Sequence, residues 1–256
     1  YKPIRKMISI VRYSNNDNYT KKISSMCNAR IIWGGDNSIS NIRKFGLNQR
    51  ALDIAFADRY SFCVLNTLEI LKINNTQTQR LVEKFYNDTY LVDQNACSSP
   101  HLILWLGKRT NKARKKFWKY LFNYVNRKYN LTETASIEKY TQLCSHILSL
   151  KNMKKYERYG NSIYTIQLNH LDKELHNLRG KWGFFYECEI NDLNKIKNYI
   201  NNKYQTLTYF GLNKNILRNF ILKNQLKGID RVVPIGQALD ISLFWDGYDL
   251  NKILSR

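Results

Sequence analysis

A chain of 256 residues with 41 Lys and Arg against 20 Asp and Glu carries a net charge of +21, with 43% hydrophobic and 13% aromatic residues. Those fractions exclude a disordered polyelectrolyte and leave core enough for one large or two modest domains, while apolar runs such as Leu102 to Leu106 are far too short to cross a bilayer. The positive charge is scattered over most predicted helices amid abundant Lys, Asn, Ile and Tyr, which reads as composition bias and not as a phosphate-binding footprint, so nucleic acid is not expected as a partner.

The chain opens at Tyr1 and runs almost at once into a predicted strand over residues 7–13, a pattern that reads as a start in mid-domain. Asn18 to Met26 reads as a short helix. Ala29 to Trp33 reads as a strand that meets Gly34-Gly35, and a helix begins near Asp36-Asn37-Ser38. Such a βα junction turns backbone N–H groups toward whatever binds at the strand end, although it has neither the G-x-G-x-x-G nor the P-loop pattern. A plain tight turn is the alternative. Ala51 to Leu65 reads as one or two strands around Asp58-Arg59-Tyr60-Ser61.

Asn74 to Val92 is predicted helical, with Leu81, Val82, Phe85 and Tyr86 sharing a face, and His101 to Gly107 is predicted as a strand. Between them lies Asp93-Gln94-Asn95-Ala96-Cys97-Ser98-Ser99-Pro100. Hydrogen-bonding residues flank the cysteine and Pro100 stops the helix. A thiolate needs such a polar setting, so Cys97 is either a nucleophile or a small inert core residue. Gln94 and Asn95 either position it or merely hold the turn. His101 is a partner for a Cys–His dyad or a strand-end histidine of the core. The five cysteines at 27, 63, 97, 144 and 188 lie singly; an odd count without Cys-x-x-Cys points to reduced thiols, a cytoplasmic protein and no structural zinc.

Asn111 to Tyr129 is the clearest amphipathic helix: Ala113, Phe117, Leu121 and Val125 repeat every four residues. Lys112, Arg114, Lys115, Lys116, Lys119, Arg127 and Lys128 are predicted to form its solvated side, or an RNA- or anionic-surface-binding face. Thr132 reads as the N-cap of a helix through about Leu150. Strands are predicted at 162–168, 182–190, 205–210 and 231–236, and helices after Asp192 (Leu193, Ile196, Ile200) and over 213–226. Phe244-Trp245-Asp246-Gly247-Tyr248-Asp249 closes the chain as a turn. Alternating helices and strands imply an α/β fold with mostly parallel pairing.

Four stretches together resemble one family: Ala29 to Gly35, Asp58-Arg59-Tyr60-Ser61-Phe62, Asp93 to Ser98, and Pro234-Ile235-Gly236 with Trp245-Asp246-Gly247-Tyr248. In that order they look like the LuxC-type acyl-CoA reductases, members of the aldehyde dehydrogenase superfamily named for bacterial luminescence operons. The resemblance spans Ile8 to Arg256. It implies an aldehyde dehydrogenase-like fold, with residues 1–92 the end of a Rossmann-like cofactor domain and 93–256 the catalytic domain. It implies Cys97 as nucleophile, assisted by Asn95 and Gln94, and Trp33, Gly34, Gly35 and Ser38 as residues that hold NADPH. The implied reaction is reduction of a long-chain acyl-CoA or acyl-protein thioester to a fatty aldehyde. An acyl-protein synthetase partner and a homo-oligomer are implied as well.

Members are roughly twice this length, so the chain resembles a C-terminal portion. A truncated, inactive homologue is therefore a rival, as is a cysteine hydrolase. Two departures bear on the chemistry. Hydrolytic aldehyde dehydrogenases carry Glu-Leu-Gly-Gly where this chain has Ala55-Phe56-Ala57-Asp58, which removes the water-activating base and suits a reductase. Their ribose-holding Glu-x-Phe-Gly-Pro is replaced by Gly180-Lys181-Trp182-Gly183-Phe184, so no ribose-binding carboxylate carries over.

Overall fold

The computed structural model describes residues 2–14 and 17–255. The chain divides into two compact units, Tyr1–Asp58 and Arg59–Arg256.

The first unit contains α1 (Lys2–Arg5), α2 (Asp17–Met26), β1 (Ala29–Gly34), α3 (Asp36–Arg43) and β2 (Leu52–Ala57). β1 and β2 pair in parallel, from Ala29 against Leu52 to Gly34 against Ala57. Ile32, Ile39, Ile54 and Phe56 are its buried apolar residues. Arg30 on β1 binds Asp53 at 2.6 Å and the carbonyls of Ile42 and Phe45, which ties the crossover to both strands. Residues 7–13, predicted as a strand, form a turn and irregular chain instead, with Ile10 95% exposed. An apolar alternation makes a strand when a neighbour supplies its hydrogen bonds, and no strand among the described residues pairs with this one.

The second unit runs β3 (Tyr60–Asn66), α4 (Thr67–Lys72), α5 (Asn75–Thr89), β4 (Pro100–Leu106), α6 (Thr110–Lys128), α7 (Glu133–Ser149), β5 (Met153–Tyr159), β6 (Ile163–Leu168), β7 (Phe184–Ile190), β8 (Tyr204–Phe210), α8 (Lys214–Lys223) and β9 (Arg231–Pro234). A hairpin of β10 (Phe244–Trp245) and β11 (Tyr248–Asp249) and a last helix, α9 (Leu250–Leu254), complete it. Seven strands form one sheet in the order β5-β6-β7-β4-β3-β8-β9, parallel except for β5 against β6. β5 was not anticipated. Lys154, Lys155, Glu157 and Arg158 obscure its pattern, and charges on an edge strand are how a sheet avoids pairing with another chain.

Residues alternate between the two faces of the central strands. Phe62, Val64, Leu102 and Leu104 join one core; Cys63, Leu65, Ile103 and Trp105 join the other, beneath α5 and α6. The four-residue repeat on α6 is fully buried, as its spacing predicts. Arg114, predicted on the solvated side, is instead 2% exposed. Its guanidinium grips Glu187 of β7 at 2.7 and 2.8 Å, and the same carboxylate takes the indole N–H groups of Trp105 (2.6 Å) and Trp118 (3.0 Å). Interior strands place Glu187 where the helix has to answer it with a cation. The helix predicted after Asp192 shortens to a 3₁₀ turn, Leu193–Ile196, since burial of Leu193 and Ile196 takes a single turn.

The compact units divide at Asp58/Arg59. β3 lies in the middle of the large sheet, bonded to β4 and β8, so residues 59–92 pack with the elements C-terminal to them.

Candidate functional site

The segment from Asp93 to Ser99 joins α5 to the N-terminal end of β4 without regular structure. Asp93 and Gln94 both take left-handed backbone angles, φ 53° and 60°, which reverse the chain sharply after the helix. Gln94, 1% exposed, fixes that reversal. Its amide nitrogen donates to the carbonyls of Pro100 and Phe184, each at 3.1 Å; its oxygen accepts from the N–H groups of Gly183 (3.1 Å) and Phe184 (3.2 Å). Every hydrogen-bonding position of a primary amide is thereby used.

The corner that precedes β7 is held equally firmly. Trp182 N–H donates to Asp93 C=O at 3.1 Å, and the Tyr129 hydroxyl donates to the Asp93 carboxylate at 2.5 Å. Lys139, wholly buried on α7, donates its ammonium to the carbonyls of Trp182 (2.8 Å) and Asn161 and stands over the Tyr164 ring. Burial, and then the charge of Arg158, push its pKa down to about 7. Gly183 sits at φ +82°, where a Cβ would fall 2.2 Å from Tyr90 Oη and 2.4 Å from Ser162 O.

Cys97 is half-buried in this clamped turn, and Asn95 beside it is exposed, with its N–H on Val92 C=O at 2.8 Å. Ser61, at the start of β3, donates its hydroxyl proton to Cys97 C=O at 2.6 Å and accepts Thr206 N–H at 3.1 Å. Ser99 donates to Asp88 C=O at 2.7 Å. The Asp88 carboxylate, 1% exposed, accepts the N–H groups of Gly236 (2.6 Å) and Ala238 (2.8 Å). Burial pushes Asp88 up to about 6, against the downward pull of those two bonds. Pro234-Ile235-Gly236 is thus the loop that closes on α5, with Gly236 at φ +98°. Arg231 secures the far side of the loop through Ala238 C=O (2.9 Å) and lies over Trp245 at 4.2 Å.

His101 is 4% exposed and stacks on Tyr60 with ring centroids 5.4 Å apart. Burial first, and the charge of Arg179 next, push its pKa down to about 3, so it is a neutral strand-end imidazole. Cys63 and Cys188 lie in strands, where burial pushes both thiols up, Cys188 to about 11.

Ser61, though it lies in one of the stretches that carry the resemblance, Asp88 and Lys139 were given no role from the sequence. Each nonetheless left a trace: a polar residue at a position its neighbours mark as core. Ser61 stands among Tyr60, Phe62, Cys63 and Val64; Asp88 is seven residues after Leu81; Lys139 is four from both Ala135 and Leu143.

In the first unit, Gly35 N-caps α3 and its carbonyl accepts Ile39 N–H at 3.0 Å. Trp33 is 65% exposed and lies on Phe56 with centroids 4.6 Å apart. A Cβ on Gly35 would meet nothing within 4 Å, and one on Gly34 would meet only Ser38, at 3.3 Å. Ser38 is exposed. A bare backbone beside an open indole face suits close approach of a planar cofactor. Asp36 in the first helical turn opposes a phosphate at the helix end, so the fit rests on the ring face and the glycines. Among the described residues no cluster of three or more His, Cys, Asp or Glu is arranged to hold a metal, and no helix is long and apolar enough to cross a membrane.

A family model described as Acyl-CoA reductase (LuxC) matches residues 1–256. Among curated proteins, none matches. Among solved structures, the chain is similar to a methylmalonate-semialdehyde dehydrogenase from Sinorhizobium meliloti complexed with NAD, at 10% identity and a TM-score of 0.58, over 86% of this chain and 48% of that one. It is similar to 1-pyrroline-5-carboxylate dehydrogenase from Thermus with bound NAD, at 9% identity and 0.55, over 86% and 45%. A mutant of proline utilization A from Bradyrhizobium japonicum matches at 9% identity and 0.60, over 91% of this chain and 25% of that one. These likenesses establish an aldehyde dehydrogenase-like fold. The chain spans about half, or less, of the length of those structures.

Proposed function

The chain belongs to the LuxC acyl-CoA reductase family, and on that premise we propose that it reduces long-chain fatty acyl thioesters to aldehydes, with NADPH as reductant and Cys97 as acyl carrier. One observation supports this above the others: Cys97 is half-buried in a polar turn that hydrogen bonds of Ser61 and Gln94 tie to β3, β4 and β7, whereas Cys63 and Cys188 are buried with raised pKa values and Cys144, half-buried too, lies within α7.

As a thiolate, Cys97 attacks the carbonyl carbon of an acyl-CoA, or of an acyl group passed on by an acyl-protein synthetase. A carbon–sulfur bond to Cys97 forms, the bond to the donor thiol breaks, and the donor leaves as its thiolate. One thioester replaces another, so the exchange is nearly balanced. The demand is geometric: sulfur and carbonyl have to meet within a narrow range of angles. Gln94 serves that demand by locking the turn to β4 and β7, and Asn95, exposed two residues before Cys97, is its second positioning residue.

Trp33, Gly34, Gly35 and Ser38 would hold the nicotinamide cofactor, which when bound supplies a hydride to the acyl carbon. Departure of the aldehyde breaks the carbon–sulfur bond and restores the Cys97 thiolate. Hydrolysis of the acyl-enzyme instead needs a base to activate water. Ala55, at the position where hydrolytic aldehyde dehydrogenases carry that base, has no such group.

Full-length protein incubated with labelled long-chain acyl-CoA is expected to gain one acyl mass at Cys97 and to release fatty aldehyde on addition of NADPH. Absence of the label in the wild type, or its persistence in Cys97→Ala, would sink the proposal.

A further inference from the structure

We propose that Ser61 is a positioning residue of the reaction: its hydroxyl sets the peptide plane between Cys97 and Ser98, and with it the direction in which the Cys97 sulfur reaches. The inference rests on the reading of Cys97 as the nucleophile.

The sheet is irregular on both sides of Ser61 at one level. Toward β4, Ser61 pairs with Pro100 and Phe62 with Leu102, so a single step on β3 meets two on β4 and His101 is the extra residue. Toward β8, Tyr60 pairs with Tyr204 and Phe62 with Leu207, so two steps meet three and an extra residue lies at Gln205–Thr206. β3 thus carries bulged partners on each flank, at the point where the sheet meets the sulfur turn. Bulges of this kind re-aim groups beside active sites.

The irregularity takes Thr206 N–H out of a plain ladder and leaves it to Ser61 Oγ at 3.1 Å. The single hydroxyl proton then goes to Cys97 C=O at 2.6 Å. One bond received and one given define the hydroxyl from two directions. Ser61 is 0% exposed, so water has no access to take over either bond. A trans peptide is planar, and its C=O and the following N–H point in opposite directions. Tying Cys97 C=O to β3 therefore turns Ser98 N–H away from β3 and fixes the Cα from which the thiol extends. Gln94 anchors the near end of the turn, and Ser61 anchors the residue that bears the sulfur.

The level carries a cost that a regular sheet would not. Tyr60 Oη, His101 Nδ1, Gln205 Oε1 and Thr206 Oγ1 are buried there without hydrogen-bond partners among the described residues. Unpaired buried polar atoms call for a reason, and the one this level offers is the serine that both bulges aim at the sulfur turn.

The test measures alkylation of Cys97 by iodoacetamide, in which the thiolate displaces iodide, beside single-turnover acylation at saturating acyl-CoA. Ser61→Ala is expected to slow both by about ten-fold, with half-saturation unchanged within about two-fold, and Ser61→Thr to recover most of the rate. Thr208→Val is the control. Its hydroxyl bonds Phe62 C=O at 3.5 Å across the same two strands, so its loss is expected to lower the melting temperature and leave both rates alone. If alanine does not fold, Ser61→Cys, similar in shape but a weak donor, is expected to show the same slowing. Wild-type alkylation rates at Cys97 in folded Ser61→Ala or Ser61→Cys, or slowing in Ser61→Ala and Thr208→Val alike in proportion to lost stability, would overturn the proposal. A wild type that is alkylated but never acylated would count against the reductase reading alone.

Discussion

The Cys97 turn and the Gly34–Gly35 junction are built on opposite plans. The junction follows β1 at its C-terminal end, where parallel α/β folds commonly present ligand sites, and it consists of bare backbone and an open indole. The turn precedes β4 at its N-terminal end, where α5 arrives by its C-terminus. Side chains define it instead, since Gln94, Ser61, Ser99 and Lys139 together tie the turn and its facing corner to backbone on several elements. A cofactor site has to stay accessible, whereas a nucleophile has to be held to a fraction of an ångström. Under the roles proposed above, the two plans answer those two needs.

The same contrast orders the expected effects of substitution. Gln94→Leu should cost most. It strands the carbonyls of Pro100 and Phe184 and the N–H groups of Gly183 and Phe184, for a loss of about 4 kcal/mol or more in denaturant unfolding. A loss below about 1 kcal/mol would mean the turn is held by something else. Gly183→Ala, with a Cβ 2.2 Å from Tyr90 Oη at φ +82°, should cost about 3 kcal/mol by the same measurement.

Asp88 gives a pH signature. Its pKa is raised from 3.8 in the free carboxylate to about 6 in the folded chain, so ionisation works against folding. Its favourable contribution is complete below pH 4 and is lost as the pH climbs through 6. Between pH 4 and 7 the wild type should lose up to about 3 kcal/mol relative to Asp88→Asn. Parallel stability curves for the two would remove Asp88 from the account. At the junction the smallest change is expected: Gly35→Ala, at φ −69° with open space around the new methyl, should move stability by less than about 0.5 kcal/mol. The same methyl should weaken NADPH binding, read by fluorescence titration, by about ten-fold if the cofactor approaches that backbone. An unchanged affinity would move the cofactor off Gly35.

Which parts were legible in the sequence depends on how far apart the interacting residues lie. The α5 and α6 faces, the βα junction and most strands were readable because a helix or buried strand writes its burial into residues a few positions apart. Cys97 stood out for a similarly local reason, its polar neighbours and Pro100.

Edges and partners were another matter. Residues 7–13 carry a strand-like pattern without a neighbour to pair with, and β5 is a strand whose charges conceal it. Arg114 looked like a surface cation until Glu187, on β7, came to meet it. The compact units part at Asp58 because β3 finds its ladder partners in β4 and β8.

From the sequence alone came the α/β class, the family resemblance and the cysteine at its centre, all carried by short-range periodicity and motifs. Tertiary structure alone decided that Ser61 and Asp88 grip the sulfur turn, that His101 is neutral, and that Gln94 fills all its hydrogen bonds with backbone from β4 and from the start of β7. These depend on burial and on pairing across the sheet. Neither is encoded within a single segment; both arise when distant strands close on each other and exclude water.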